Sequence, residues 1–439
     1  MCSVAGAKNP SDVEKMLQTM KHRSPDGEGI FYEDGFAIGM GRLKIIDLTD
    51  LPLPFKKDGY VLSYNGEIYN YLEIKKELEL LGHNFETKSD IEVVLESYKA
   101  WGEKCLDKFN GMFAFAIYNG HKLFLARDVA GEKPLYYRRK DFAFASEAKA
   151  LNWDCEELPP ATCLTYDIGS KEIVKRKYWH PKYRKIVQKD AVEELEALLE
   201  DSIRLRTQAD VPYGLYFSGG VDSTLISTFH DFKHLFTFKD GNREDFMELF
   251  PEITWHMDYP VNHFSPYGFW KLAEMASREG VRVILSGEGA DELFGGYVRY
   301  IQPHFNALAR LKFPSYEDMF KPAEYVTEAG FREFGDNMQQ LLRIGDRMAS
   351  AFGIENRCPF LDKRIIEFAF NLPDSYKIDG LDTKVILNKI LKKRKPDYVR
   401  IEKAGLFVPI NRWLGVEDVE GYRKDTYVRK QIEALGNQK

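Results

Sequence analysis

The run Tyr216-Phe217-Ser218-Gly219-Gly220-Val221-Asp222-Ser223-Thr224 decides how the chain is read. Val211 to Phe217 ahead of it is apolar and β-prone, and Leu225 to Thr228 behind it can continue as a buried helix. That order is strand, glycine turn, helix start. Backbone N–H groups and the positive end of a helix dipole then converge on one point, where an anion is stabilised. Gly219 and Gly220 let the main chain approach a phosphate with no Cβ in the way. Ser218, Ser223 and Thr224 supply hydroxyl donors, and Asp222 makes sense beside phosphate if a Mg2+ lies between them. No Gly-Lys-Ser/Thr follows, so this is not the P-loop. An ordinary tight turn explains a lone Gly-Gly; the full string after a strand points to a nucleotide site.

That string resembles the pyrophosphate loop of the ATP pyrophosphatases, which cleave ATP between the α- and β-phosphates. A second strand–turn–helix comes later: apolar Val281 to Leu285, then Ser286-Gly287-Glu288-Gly289-Ala290-Asp291-Glu292. Asp222 and Asp291 each follow a strand end, so the two carboxylates can share a Mg2+ that bridges phosphates; capping of a helix start is the structural alternative for Asp291 and Glu292. The resemblance implies Leu215, Ser218, Gly219, Gly220, Asp222, Ser223, Phe238, Ser286 and Gly287 as the ATP-binding residues. The amphipathic helix from Asp190, with Val192, Leu195, Leu199 and Ile203 on one face, feeds the first strand. Alternation of strands and helices predicts an α/β doubly wound parallel sheet over 186–439, with ligands at its carboxyl edge.

The 439 residues allow two full cores. With 44% apolar and 30% charged residues the composition is globular, and the net charge of −6 argues against nucleic acid as a partner. No apolar run nears the ~18 residues of a membrane span, and no secretory signal opens the chain. Cys2, Cys105, Cys155, Cys163 and Cys358 are scattered, with no zinc-like pair, which makes a reducing cytoplasm the expectation. A homodimer is left open.

The first part, 1–180, reads differently. Cys2 follows Met1 and is small, so removal of Met1 is expected to free an α-amine that titrates near ~8 and can serve as base for the thiol of its own residue. An incidental cysteine is the bland reading. Gly41 to Leu48, Val61 to Tyr64, Gly111 to Ile117 and Leu123 to Ala126 read as strands, Leu72 to Leu81 as a helix, and Ser89 to Glu92 as the opening of another. Many strands with few helices predict an α+β domain of stacked antiparallel sheets flanked by helices. Asn65-Gly66 can be a hairpin turn, Ser89 and Glu92 a capping box around Asp90, and Arg42 a surface partner of Asp47. The basic stretch Lys175 to Lys189 reads as a solvated connection.

From Cys2 to Leu151 these segments are similar to the glutaminase domain of glutamine-hydrolysing asparagine synthetases, an N-terminal-nucleophile (Ntn) hydrolase fold. The resemblance implies that Cys2 attacks the glutamine amide. Asn65 and the Gly66 N–H would form the oxyanion hole, Arg42 would clamp the substrate carboxylate, and Glu67 and Asp90 would hold its α-ammonium. The later motifs agree, with Gly353 to Asp362 and Lys403 to Pro409 in family order. Lys384 would contact pyrophosphate. Glu288 would be the base that deprotonates attacking ammonia, where the related β-lactam synthetases carry Tyr. The implied reaction uses glutamine, aspartate and ATP: tunnelled ammonia attacks an aspartyl adenylate, giving asparagine, AMP and pyrophosphate. Alternatives are amidation of another carboxylate and a non-catalytic sensor of the same fold. Departures from the family are Arg23-Ser24-Pro25-Asp26 for its Arg-Gly-Pro-Asp, and a short stretch 239–257, which leaves the adenine wall open.

Overall fold

The computed structural model describes residues 1–182, 186, 190–261, 263–297, 300, 326–335, 337–399, 406, 413 and 422–436. Of the Lys403–Pro409 motif only Leu406 falls among them.

Twelve strands build two sheets in the first part: β1 (Ser3–Ala7), β2 (Glu28–Glu33), β3 (Phe36–Gly41), β4 (Phe55–Lys57), β5 (Tyr60–Ile68), β6 (Gly111–Tyr118), β7 (Lys122–Arg127), β8 (Tyr136–Arg138), β9 (Ala143–Ala145), β10 (Glu156–Glu157), β11 (Thr162–Asp167) and β12 (Ile173–Lys177). One sheet has the order β10-β8-β9-β1-β3-β2 and the other β12-β11-β7-β6-β5-β4. Every pairing in both is antiparallel. Val4, Ile38, Val61, Ala114, Leu125 and Phe144 fill the space between the sheets. The outer faces are buried too. Val13 and Leu17 of α1 (Pro10–Thr19) pack on Ala5, Ala37 and Ala145. Ile74 and Leu78 of α2 (Tyr71–Leu80), with Ile91, Val94 and Leu95 of α3 (Asp90–Trp101) and Leu106 of α4 (Cys105–Lys108), pack on Leu62, Phe113 and Phe115. Covering on both faces is why β6 reads as an unbroken apolar run rather than an alternation.

The expected strand from Gly41 to Leu48 is not formed. β3 ends at Gly41. The Arg42 guanidinium folds back on the loop that follows, donating to the carbonyls of Thr49 (2.7 Å), Ile46 (3.3 Å) and Asp47. Leu43 and Ile45, whose alternation suggested a strand, are buried in the core of the second part of the chain instead. Asn65-Gly66 is no hairpin either: both lie inside the nine-residue β5, opposite Ala114 and Phe113. Of the connection, Lys175–Lys177 belongs to β12.

The second part holds a four-stranded parallel sheet of β13 (Tyr213–Tyr216), β14 (Leu235–Phe236), β15 (Val283–Leu285) and β16 (Glu355–Arg357), in the order β14-β13-β15-β16. Successive side chains of a strand face opposite ways. Leu215, Val283 and Leu285 therefore join one core, with α5 (Ala191–Arg206) and α6 (Val221–Ser227). Tyr216, Phe236 and Ile284 join the other, with α7 (Arg243–Met257) and α8 (Pro266–Arg278). Helices on both faces make the sheet doubly wound. The short 239–257 stretch is chiefly α7, whose N-cap Asn242 accepts the N–H groups of Glu244 (2.8 Å) and Asp245 (3.1 Å).

Buried charge joins the two parts. Arg23 pairs with Glu147 (2.8 Å) and with Asp346 (2.9 Å), and its Nε donates to the Cys2 carbonyl (3.2 Å). Asp258 accepts the N–H groups of Ala148 (2.6 Å) and Lys149 (2.7 Å) and pairs with Arg347 (3.0 Å).

Two candidate active sites

Cys2 precedes β1 and is half-buried. Its sulfur accepts the Leu43 N–H at 3.5 Å, and burial pushes its thiol pKa up. The Cys2 nitrogen, an amide while Met1 is attached, donates to Asn65 Oδ1 at 3.1 Å. It stands where a free amine would stand after Met1 is removed. With Oδ1 engaged, the buried Asn65 Nδ2 has no hydrogen-bond partner. A buried donor left unpaired costs about 1–3 kcal/mol, which suits a group that awaits an oxyanion. Gly66 beside it has φ +156°, and a Cβ there would overlap the Met112 carbonyl and the Phe113 backbone on the neighbouring strand. Only glycine holds this position.

Asp90 starts α3, where Ser89 Oγ accepts the Ile91 N–H (3.3 Å). Half of the expected capping box is present. Its Glu92 instead accepts the N–H groups of Glu86 and Thr87 and pairs with Lys57 (2.8 Å). Asp90 accepts from Tyr64 Oη (2.6 Å) and the Ile68 N–H (2.9 Å), yet burial lifts it to about 6. Burial, then the Asp90 charge, pushes Glu67 well up as well, while Arg357 of β16 opposes this from 3.4 Å. Arg357 thus reaches the first site from the second part of the chain, and the sequence carried no sign of it. The loop braced by Arg42 lines a cavity of about 600 Å3 with Asp47, Leu48, Thr49, Leu51, Lys88 and Asp210.

At the carboxyl edge of the parallel sheet, Gly219 turns the chain with φ +73°. Ser223 Oγ accepts the Ser218 N–H (3.2 Å), and Ser218 Oγ accepts the Gly220 N–H (3.3 Å). The hydroxyls therefore hold the turn in shape. Gly287 packs on Asp222, leaving 3.0 Å for a Cβ. The Asp222 and Asp291 carboxylates do converge, on the ammonium of Lys384: Nζ lies 2.6 and 2.7 Å from the two Asp222 oxygens and 2.7 Å from Asp291 Oδ1. Burial opposes that ammonium, but the two carboxylates outweigh it and raise its pKa. Leu215 is fully buried in the sheet, and Phe238 meets Tyr267 edge-on at 5.9 Å between ring centres.

Burial raises the Glu288 carboxyl, while Ser286, Asn356 and Cys358 act the other way by hydrogen bonding. Ser286 Oγ donates to Asn356 Oδ1 at 2.8 Å. Tyr216 Oη and Thr224 Oγ1 are buried here without partners. Tyr216 is the last residue of β13, and its sequence context marks it only as a strand residue. A chain of buried contacts joins the two sites: Met1 Sδ to Lys133 Nζ (2.9 Å), Lys133 Nζ to Asn356 O (3.5 Å), Asn356 Nδ2 to Cys358 Sγ (3.8 Å) and Cys358 Sγ to Glu288 Oε2 (3.9 Å). Glu132 accepts the Cys358 N–H at 3.3 Å.

A pair of antiparallel sheets with a cysteine at its edge, joined to a doubly wound sheet with a glycine turn at its carboxyl edge, is the architecture of a two-site amidotransferase. Comparison with known proteins agrees. The glutamine amidotransferase domain family matches residues 1–179, and the asparagine synthase family matches 194–239 and 237–436. Asparagine synthetase [glutamine-hydrolyzing] 1 of Bacillus subtilis is 30% identical, over 95% of this chain and 88% of its own. Putative asparagine synthetase [glutamine-hydrolyzing] 2 of Methanocaldococcus jannaschii is 32% identical over 73% and 81%, and asparagine synthetase B of Escherichia coli is 29% identical over 83% and 73%. The chain belongs to the glutamine-hydrolysing asparagine synthetase family.

Proposed function

We propose that the protein makes asparagine from aspartate, glutamine and ATP. With Met1 removed, the Cys2 amine takes the thiol proton and the sulfur attacks the glutamine side-chain amide. Asn65 Nδ2 and the Gly66 N–H receive the developing oxyanion, and Glu67 and Asp90 face the substrate ammonium. Arg42 has bonds to three loop carbonyls, so besides clamping the carboxylate it shapes the loop that holds it.

Ammonia leaves and a thioester forms; water then releases glutamate. In the second site the aspartate side-chain carboxylate attacks the ATP α-phosphorus and expels pyrophosphate. A carboxylate is a poor electrophile, and AMP supplies the leaving group. Ammonia adds to the adenylate carbonyl, Glu288 takes its proton, and AMP departs. Ser218, Gly219, Gly220, Ser223, Ser286 and Gly287 are the proposed phosphate and ribose contacts, with Leu215 and Phe238 flanking the base. Asp222 and Asp291 fit Mg2+, because two carboxylates already aim at one cation. When bound, Mg2+ supplies charge neutralisation for the phosphates.

The observation that carries this reading is the buried, unpartnered Asn65 Nδ2 beside the Cys2 nitrogen, and contacts through Lys133, Asn356 and Cys358 lead toward Glu288 without involving Met1. The unpartnered donor supports amide attack by Cys2, and the contacts from Lys133 to Glu288 support transfer of ammonia away from bulk water. Mass spectrometry of the product and of the mature N-terminus, after incubation with glutamine, ATP, Mg2+ and aspartate, tests it. No asparagine from a chain that begins at Cys2 refutes the reading. The short 239–257 stretch favours a second reading, a different acceptor carboxylate, which a pyrophosphate-release screen over carboxylic acids would reveal.

A further inference from the structure

The ammonium of Lys384 has three donors, and all three are spent: two on Asp222 and one on Asp291. These are the oxygens to which the reading above, on which this inference rests, gives the metal. Lys384 is buried and cannot take its charge to water without moving. Its backbone is pinned. Residue 384 has φ +52° at the start of α13 (Val385–Arg394; α9 is Ala290–Phe294, α10 Val326–Gly335, α11 Asn337–Ser350 and α12 Lys363–Asn371), and its carbonyl accepts both the main-chain N–H (2.9 Å) and the side-chain Nδ2 (3.1 Å) of Asn388. The side chain is thus a charged arm on a fixed pivot. Gly296 lies flat against the tip, where a Cβ would overlap Asp291 Oδ1 and Lys384 Cε.

We propose that Lys384 is a tethered competitor of the metal, so that Asp222 and Asp291 accept a divalent cation only when nucleotide phosphates are present to receive the lysine. Two carboxylates and one ammonium carry one net negative charge. A divalent ion that enters alone must break three charge-assisted bonds and leave the ammonium buried beside a second cation. With triphosphate in the glycine turn, the same displacement gives the ammonium new oxygen partners, and the metal gains phosphate ligands. Metal and nucleotide are coupled through one side chain, and the coupling is reciprocal.

The test is Mn2+ binding to the full-length protein without nucleotide, followed by electron paramagnetic resonance. Wild type is expected to show no Mn2+ site that depends on Asp222, so Asp222→Asn leaves its titration unchanged. Lys384→Met is expected to gain a site at least about tenfold tighter than any in wild type, within the usual range of coupling factors, and Lys384→Met/Asp222→Asn is expected to lose it. A wild-type Mn2+ site that Asp222→Asn abolishes overturns the proposal, and this holds even if the lysine variants do not fold. Folded Lys384→Met that binds Mn2+ no better than wild type also overturns it. The readout is metal occupancy, so failure to make asparagine is scored separately by product analysis.

Discussion

Asn65 is the residue whose removal separates catalysis from binding most cleanly. Its Nδ2 is buried without a partner while its Oδ1 is held by the Cys2 nitrogen. Asn65→Ala is expected to lower kcat of glutamine hydrolysis about 10²–10³-fold, measured as glutamate release, with ammonia-dependent synthesis intact. Cys2→Ala should abolish glutamine-dependent synthesis and spare the ammonia-dependent reaction. Loss of both activities in a folded variant contradicts the two-site scheme. Asp90 gives the pH dependence. Burial lifts its carboxyl to about 6, and the ionised form is the one that attracts an ammonium. The kcat/KM for glutamine should therefore fall as pH drops through about 6, and Asp90→Asn should flatten that limb. For stability the sign is opposite: the raised pKa favours the protonated fold, so this contribution is present below ~4 and lost as pH rises through about 6.

Among the elements, α12 shows what a capping position can carry. Its N-cap Asp362 accepts the Arg364 N–H (3.0 Å), pairs with Arg206 (3.1 Å) and Arg364 (2.8 Å), and accepts from Asn110 Nδ2 (3.0 Å). Asp362→Ala strands the buried Arg206 and should destabilise by about 3–5 kcal/mol, read from the urea midpoint. Asn242→Ala, an exposed cap, should cost nearer ~1 kcal/mol. The same contrast explains what the sequence disclosed. The glycine turn at 218–220 and the strand before it were legible because local chemistry sets them. The loop 42–48 imitates a strand because Leu43 and Ile45 alternate, while their burial comes from a core built mostly by residues beyond 185. Asn65-Gly66 reads as a turn until β6 is placed opposite it.

At the scale of the whole molecule the determining contacts are long-range, and no pattern within one segment announces them. Arg357 beside Glu67, and Asp258 beneath Ala148 and Lys149, became visible only in three dimensions. Asp258→Ala leaves Arg347 without one buried partner and two N–H groups unpaired. It should lower stability by about 3–5 kcal/mol and raise the glutamate formed per asparagine, because the two sites no longer share a rigid joint. Equal yields of the two products in a folded Asp258→Ala protein would remove Asp258 from that role.

The salt-bridged seam of Arg23, Glu147, Asp346, Arg347 and Asp258 also governs how such chains can be recombined. A chimera that takes its amide-cleaving half from one relative and its nucleotide half from another inherits only one side of the two ion pairs of this seam that cross the joint, Arg23–Asp346 and Glu147–Arg347. Unless the missing counterions are grafted along with it, the hybrid holds bare charge in a dry crevice. Exchange of halves between lineages is therefore restricted by the seam more than by either reaction centre.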